Sequence, residues 1–84
     1  MPFFPKFNCC LGAVIRANRK RMAISQMVLA ERAGVTRRFI QELENGRSNV
    51  SLQTLFALSQ ALETNMAAIC AQIESAMLNS RREG

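Results

Sequence analysis

Apolar residues recur along the chain at helical rather than strand spacing, in blocks separated by capping residues and turns. Leu11, Val14 and Ile15 mark a first helix over Cys10 to Arg21, whose basic end Arg19-Lys20-Arg21 suits the negative pole of a helix dipole. After a turn at Met22 to Ile24, Ser25 is a good N-cap, and Val28, Leu29 and Ala33 line one face of a short second helix. Gly34 supplies the tight turn that follows, and Thr36 caps a third helix with Ile40 and Leu43 inward, ended by Asn45-Gly46. A polar loop over 47–50 leads to the cap Ser51 and a fourth helix with Leu52, Leu55, Phe56, Leu58 and Leu62 inward. Asn65 caps a fifth, roughly Met66 to Asn79, on which Met66, Ile69, Cys70, Ile73 and Met77 form one apolar stripe.

The pattern predicts an all-α chain: an apolar arm over 1–9, a single helical domain over 10–79 and a fraying tail over 80–84. The arm, Phe3-Phe4-Pro5-Lys6-Phe7, is expected to fold back over the helices as a hydrophobic cap, with Lys6 its only group for a DNA contact. Eighty-four residues leave room for one core, and no small-molecule effector pocket is expected. The net charge of +5 favours a polyanionic partner, although an anionic membrane surface satisfies the same balance. No apolar run approaches the roughly 20 residues of a spanning helix. The start lacks the charged front of a secretory signal, so the expected location is the cytoplasm, with Cys9, Cys10 and Cys70 as reduced thiols. With no histidine and no Cys-x-x-Cys spacing, neither a metal site nor a cofactor is expected, and no nucleophile and base can be assembled for an enzyme.

Ile15-Arg16 with Arg19, Ser25-Gln26, Leu29-Ala30, Ala33-Gly34-Val35-Thr36, Ile40, Glu44 with Gly46, Ser51-Leu52, Leu55 and Leu62 follow one another in a characteristic order. By these residues the stretch from Leu11 to Ile69 resembles the lambda-repressor/Cro-like helix-turn-helix family, also called the xenobiotic-response-element type. The resemblance implies a compact five-helix lambda-repressor-like DNA-binding domain, with motif helices at about 25–33 and 36–45 and a C-terminal dimerisation helix at about 66–79. Arg37, Phe39 and the loop Asn49-Val50-Ser51-Leu52 narrow the likeness towards restriction-modification controller proteins. Glu63 stands where the family usually has glycine after the fourth helix, and Thr64 where an apolar residue is common. The turn into the fifth helix is therefore expected to differ.

In such a unit the second motif helix enters the major groove by its N-terminal end, which makes Thr36, Arg37, Arg38, Gln41 and Glu42 the base-reading candidates. A guanidinium fork matches the N7 and O6 acceptors of guanine. Glu42 either accepts from a cytosine amino group or pairs with Arg38 one turn back, the pairing being favoured; Gln41 stays open between base, phosphate and water. Phosphate contacts are expected from Ser25, Gln26, Asn45, Arg47 and Asn49, and the resemblance carries the family's phosphate-gripping glutamine onto Gln26. It also implies a partly buried, structural ion pair between Arg19 and Glu44. Met66, Ile69, Ile73, Met77 and Leu78 are expected to meet a second copy in a homodimer, setting two recognition helices about 34–36 Å apart on a palindrome. The implied function is a double-stranded-DNA-binding, autoregulatory transcriptional regulator. An antitoxin, a phage-type repressor and a protein-interaction module without base reading are the alternatives.

Overall fold

A computed structural model describes residues 5–83, with side chains placed for 6–79. It contains α1 (Pro5–Arg21), α2 (Gln26–Ala33), α3 (Arg37–Glu44), α4 (Leu52–Ala61) and α5 (Met66–Glu83), with no strand among the described residues. Four of these helices start on a side chain that closes the first turn. Ser25, Thr36 and Ser51 accept from the backbone N–H three residues on, at 3.0–3.1 Å, and Asn65 Oδ1 accepts from Ala68 N at 2.8 Å.

The first four helices end alike. Ala23, Gly34, Gly46 and Glu63 each adopt a left-handed backbone, with φ of 58°, 73°, 74° and 55°. The next residue's N–H then reaches back five positions: Ile24 to Arg19 O, Val35 to Ala30 O, Arg47 to Glu42 O and Thr64 to Ser59 O. At Gly34 this costs no side-chain clash, and the chain turns sharply from α2 into α3. At Ala23 and Glu63 it costs roughly 1 kcal/mol or more. Glu63 thus takes the conformation a glycine would take, and the turn into α5 closes like the others instead of differing.

The core is one cluster: Leu11, Val14 and Ile15 from α1, Leu29 and Ala30 from α2, Ile40 and Leu43 from α3, Leu55, Leu58 and Ala61 from α4 with Leu62 just after it, and Ile69 and Ile73 from α5. The α1 helix packs on α5 and α3, while α2 packs on α3 and α4. Buried Asn18 ties α1 to α5, its Nδ2 donating to Val14 O and Gln72 Oε1, each at 2.8 Å. With both acceptors in place, this polar group is not left wanting inside the fold.

Several sequence expectations need correction. The first helix begins at Pro5 rather than Cys10, so residues 5–9 are helix and not an arm; proline suits a first helical position because its missing N–H is never needed there. Phe7 consequently lies on a helix with 42% of its surface exposed instead of capping the core. Phe3 and Phe4 of the arm lie outside the described residues. Leu52 and Phe56 were expected to point inward, but they sit at the rim of the α4 stripe and are 73% and 53% exposed. The last helix continues to Glu83, past Asn79.

Candidate nucleic-acid interface

The α3 helix divides cleanly: Ile40, Leu43 and Glu44 are buried, whereas Arg37, Arg38 and Gln41, with Asn45 after them, face solvent on one side. Its charges oppose its dipole, with two arginines in the first turn and a glutamate at the end, and no acidic residue in the first turn or basic one in the last. A helix arranged for its own stability would carry the reverse. The arginines gain instead from an external polyanion set against that end. Thr36 is exposed and its hydroxyl oxygen caps α3. Arg38 Nε lies 4.0 Å from Glu42 Oε1, with the arginine side chain 88% exposed, a contact worth a few tenths of a kcal/mol at such a surface. Arg38 is thus left largely available to a ligand, whereas the Glu42 side chain is 36% exposed.

What holds α3 in place is the Glu44 carboxylate, which is wholly removed from solvent. Arg19 Nε donates to Oε2 at 2.6 Å and Arg19 Nη2 to Oε1 at 2.9 Å, while Arg19 Nη1 donates to Ile24 O at 3.0 Å. Gln26 Nε2 donates to Oε1 at 3.1 Å and Arg16 Nε at 3.4 Å. Groups from α1 and the first residue of α2 therefore converge on the last residue of α3. Burial pushes the Glu44 carboxyl up, but the hydrogen bonds from Arg19 and Gln26, the Arg19 charge and the Arg16 bond together hold it below the ordinary carboxylate value. The Glu44 bond likewise raises Arg19 against the opposing effect of burial.

The expected phosphate-contacting residues are distributed along this same region. Ser25 is exposed and caps α2; Asn45, Arg47 and Asn49 are exposed. Gln26 is half-buried and donates one N–H of its Nε2 to Glu44, which leaves the second N–H of the same amide nitrogen to donate to a phosphate. Asn49 Oδ1 accepts from buried Asn8 Nδ2 at 3.2 Å, which braces the loop after α3 against the first turn of α1. Sequence reasoning gave Asn8 and Arg16 no role. For Arg16 the signal was there in its three-residue spacing from Arg19, which puts both on one face of α1.

The residues expected to pair two copies are not all accessible. Ile69 and Ile73 are 0% and 4% exposed and belong to the protein's own core; Met66 and Met77 pack partly against it, and only Leu78, at 51%, is open. Ile69 and Ile73 of the fifth-helix stripe are taken up in closing the domain. Beside it lies an apolar groove of about 480 Å³, bordered by Phe7, Val50, Leu52, Cys70, Met77 and Leu78.

Exposed arginines at the tip of a short helix, joined by a tight turn to a second helix crossing it and braced by a buried ion pair, define a DNA-binding helix-turn-helix domain. The helix-turn-helix family HTH_3 matches residues 15–69, and the chain belongs to this Cro/C1-type family. Over 78 residues the chain is 36% identical to the immunity repressor protein of Bacillus phage phi105, covering 87% of this chain and 54% of that protein. It thus spans about half the length of that relative. The structure resembles the clp gene regulator ClgR from C. glutamicum, with a TM-score of 0.79 and 28% identity over 92% of this chain and 96% of that one. It also resembles the restriction-modification controller protein C.AhdI from Aeromonas hydrophila, with a TM-score of 0.72 and 29% identity over 74% and 94% of the two chains. No helix among the described residues is long and apolar enough to cross a membrane.

Proposed function

We propose that the protein is a cytoplasmic, sequence-specific transcriptional regulator that binds a palindromic operator as a homodimer and controls its own gene, in the manner of a controller protein. The observation that carries this reading is the solvent face of α3, where Arg37, Arg38 and Gln41 project from a helix locked at its far end by Glu44. Arg37 and Arg38 read bases, Thr36, Gln41 and Glu42 border them, and Ser25, Gln26, Asn45, Arg47 and Asn49 set the register on the phosphates. The test is binding at fixed salt to the DNA upstream of the gene and to a scrambled duplex. Replacing both Arg37 and Arg38 by alanine should weaken the upstream complex by at least about tenfold while leaving the scrambled one much less affected. Equal, weak binding of the wild type to both duplexes would sink the reading. The identity with the phi105 immunity repressor supports a second reading, a phage-type repressor, which uses the same site on a different operator.

The dimer surface of this reading is the exposed apolar face beside the groove rather than the fifth-helix stripe. Phe7, Leu52, Phe56 and Leu78 are four of the five large apolar residues exposed on the described surface, and three of them border the groove. A second copy meeting this face about a two-fold axis would bury the ridge of Leu52 and the groove beside it together. Because Leu52 is 73% exposed, Leu52→Asp should leave the thermal midpoint of the isolated chain almost unchanged and convert a dimer to a monomer in sedimentation. Operator affinity should then fall by about a hundredfold or more, through loss of the linked second half-site. A Leu52→Asp protein that still sediments as a dimer places the interface elsewhere.

A further inference from the structure

We infer that Arg16, on the first helix and outside the helix-turn-helix pair, is a further contact to the DNA backbone, its guanidinium binding a phosphate beside Gln26. The inference rests on the DNA-binding reading above and adds a residue to it.

Two arginines reach the single Glu44 carboxylate, and they do so unequally. Arg19 covers both carboxylate oxygens, gives its remaining Nη to Ile24 O and keeps only 12% of its side chain exposed, so its charge and its donors are spent inside the fold. Arg16 touches the carboxylate through Nε alone at 3.4 Å and remains 45% exposed. Its two Nη nitrogens have no hydrogen-bond partner among the described residues. One carboxylate against two guanidinium groups leaves a surplus positive charge, and it sits on the arginine that faces water.

Its position is also specified. The oxygen that Arg16 touches is the one bonded by Gln26 Nε2, so the Arg16 fork stands next to the opening residue of α2 and over the end of α3. A cation scattered on the surface by chance would have a free side chain and no fixed direction. Arg16 is held by its inner edge, and the outer edge of a planar guanidinium is the pair of parallel donors that fits two phosphate oxygens. Glu44 is then a positioning residue for this contact as well as for α3.

Arg16→Met keeps the aliphatic stem and removes the charge, and Arg16→Lys keeps the charge. Binding of wild type and both variants to a short mixed-sequence duplex and to the upstream DNA is followed between about 50 and 200 mM salt. For Arg16→Met the slope of log K against log salt should become shallower by about 0.9 for each bound protomer, equally on both duplexes, because a phosphate contact carries no sequence information. Arg16→Lys should restore most of the slope, and the melting temperature of the free protein should stay within a few degrees in both. An unchanged slope in Arg16→Met, or a loss of affinity that tracks a lower melting temperature and is not rescued by lysine, overturns the inference while leaving the DNA-binding reading intact. A folded wild type that binds neither duplex overturns both.

Discussion

Glu44→Ala should melt at a temperature lower than the wild type by more than about 10 °C, corresponding to a loss on the order of 3 kcal/mol. The side chain has no solvent exposure and receives donors from Arg16, Arg19 and Gln26, so its removal leaves a mostly buried Arg19 guanidinium with one carbonyl, Ile24 O, for a partner. An uncompensated charge is the costly product, more than the lost attraction itself. That distinction is measurable. Replacing Arg19 by Met in the same chain as Glu44→Leu removes both charges and supplies apolar volume, and the double variant should be markedly more stable than the sum of the two single losses. A Glu44→Ala protein melting within a couple of degrees of the wild type would mean that water already shares this site.

The same carboxylate sets an acid limb. Its value in the folded protein lies below the ordinary 4.5, so the unfolded chain takes up a proton first as pH falls. The stability contributed by the ionised form is therefore complete above about pH 4.5 and is lost as pH drops through the lower folded value. Acid denaturation followed in parallel should show Glu44→Gln less stable than the wild type at neutral pH, with the two curves converging in acid.

The elements most legible in the sequence were those announced by a chemical signal at their boundaries. Ser25, Thr36, Ser51 and Asn65 each precede a helical block, and each helix begins at the next residue in the structure. Where the signal was absent or shared, the reading went astray. Proline fits a first helical turn and an irregular arm equally well, and three phenylalanines nearby made an apolar cap attractive, so the first five residues of α1 were missed. Ala23 and Glu63 carry no mark of the left-handed backbone they adopt, since tertiary packing imposes it against their intrinsic preference.

For the site, the order of residues from Arg19 through Glu44 located the exposed tip of α3, but periodicity could not divide apolar positions between the protein's own core and a second copy. Ile69, Ile73 and Met77 share a stripe, with Leu78 beside its end, and only their burial in the folded chain separates the enclosed pair Ile69 and Ile73 from the more open Met77 and Leu78. Arg16 and Asn8 have the same difficulty in polar form. A cation or an amide on a helix reads as solvated until the partner from another helix, Glu44 or Asn49, is in place.

Gly12→Ala should destabilise the protein by about 2 kcal/mol or more, against the sign that helix propensity alone would give. In an open helix, alanine is favoured over glycine by about 1 kcal/mol, and Gly12 lies in the middle of the seventeen-residue α1. Here, however, α1 crosses the end of α3 backbone to backbone. A β-carbon at position 12 would overlap the Leu43 carbonyl oxygen and stand 2.9 Å from that of Glu44. Neither is the far end of a flexible side chain, so the helices must separate. Separation at that point also draws Arg16 and Arg19, one and two turns further along α1, away from Glu44, so the steric loss is compounded by a weakened ion pair. Gly12→Val should be worse, since it adds bulk and gives up the propensity gain. Thermal unfolding of the two variants decides the matter, because a Gly12→Ala protein more stable than the wild type would show that α1 and α3 do not approach this closely. If the helices are forced apart, the residual folded protein should lose operator affinity beyond what its folded fraction explains, as the end of α3 that Glu44 fixes is the far anchor of Arg37 and Arg38.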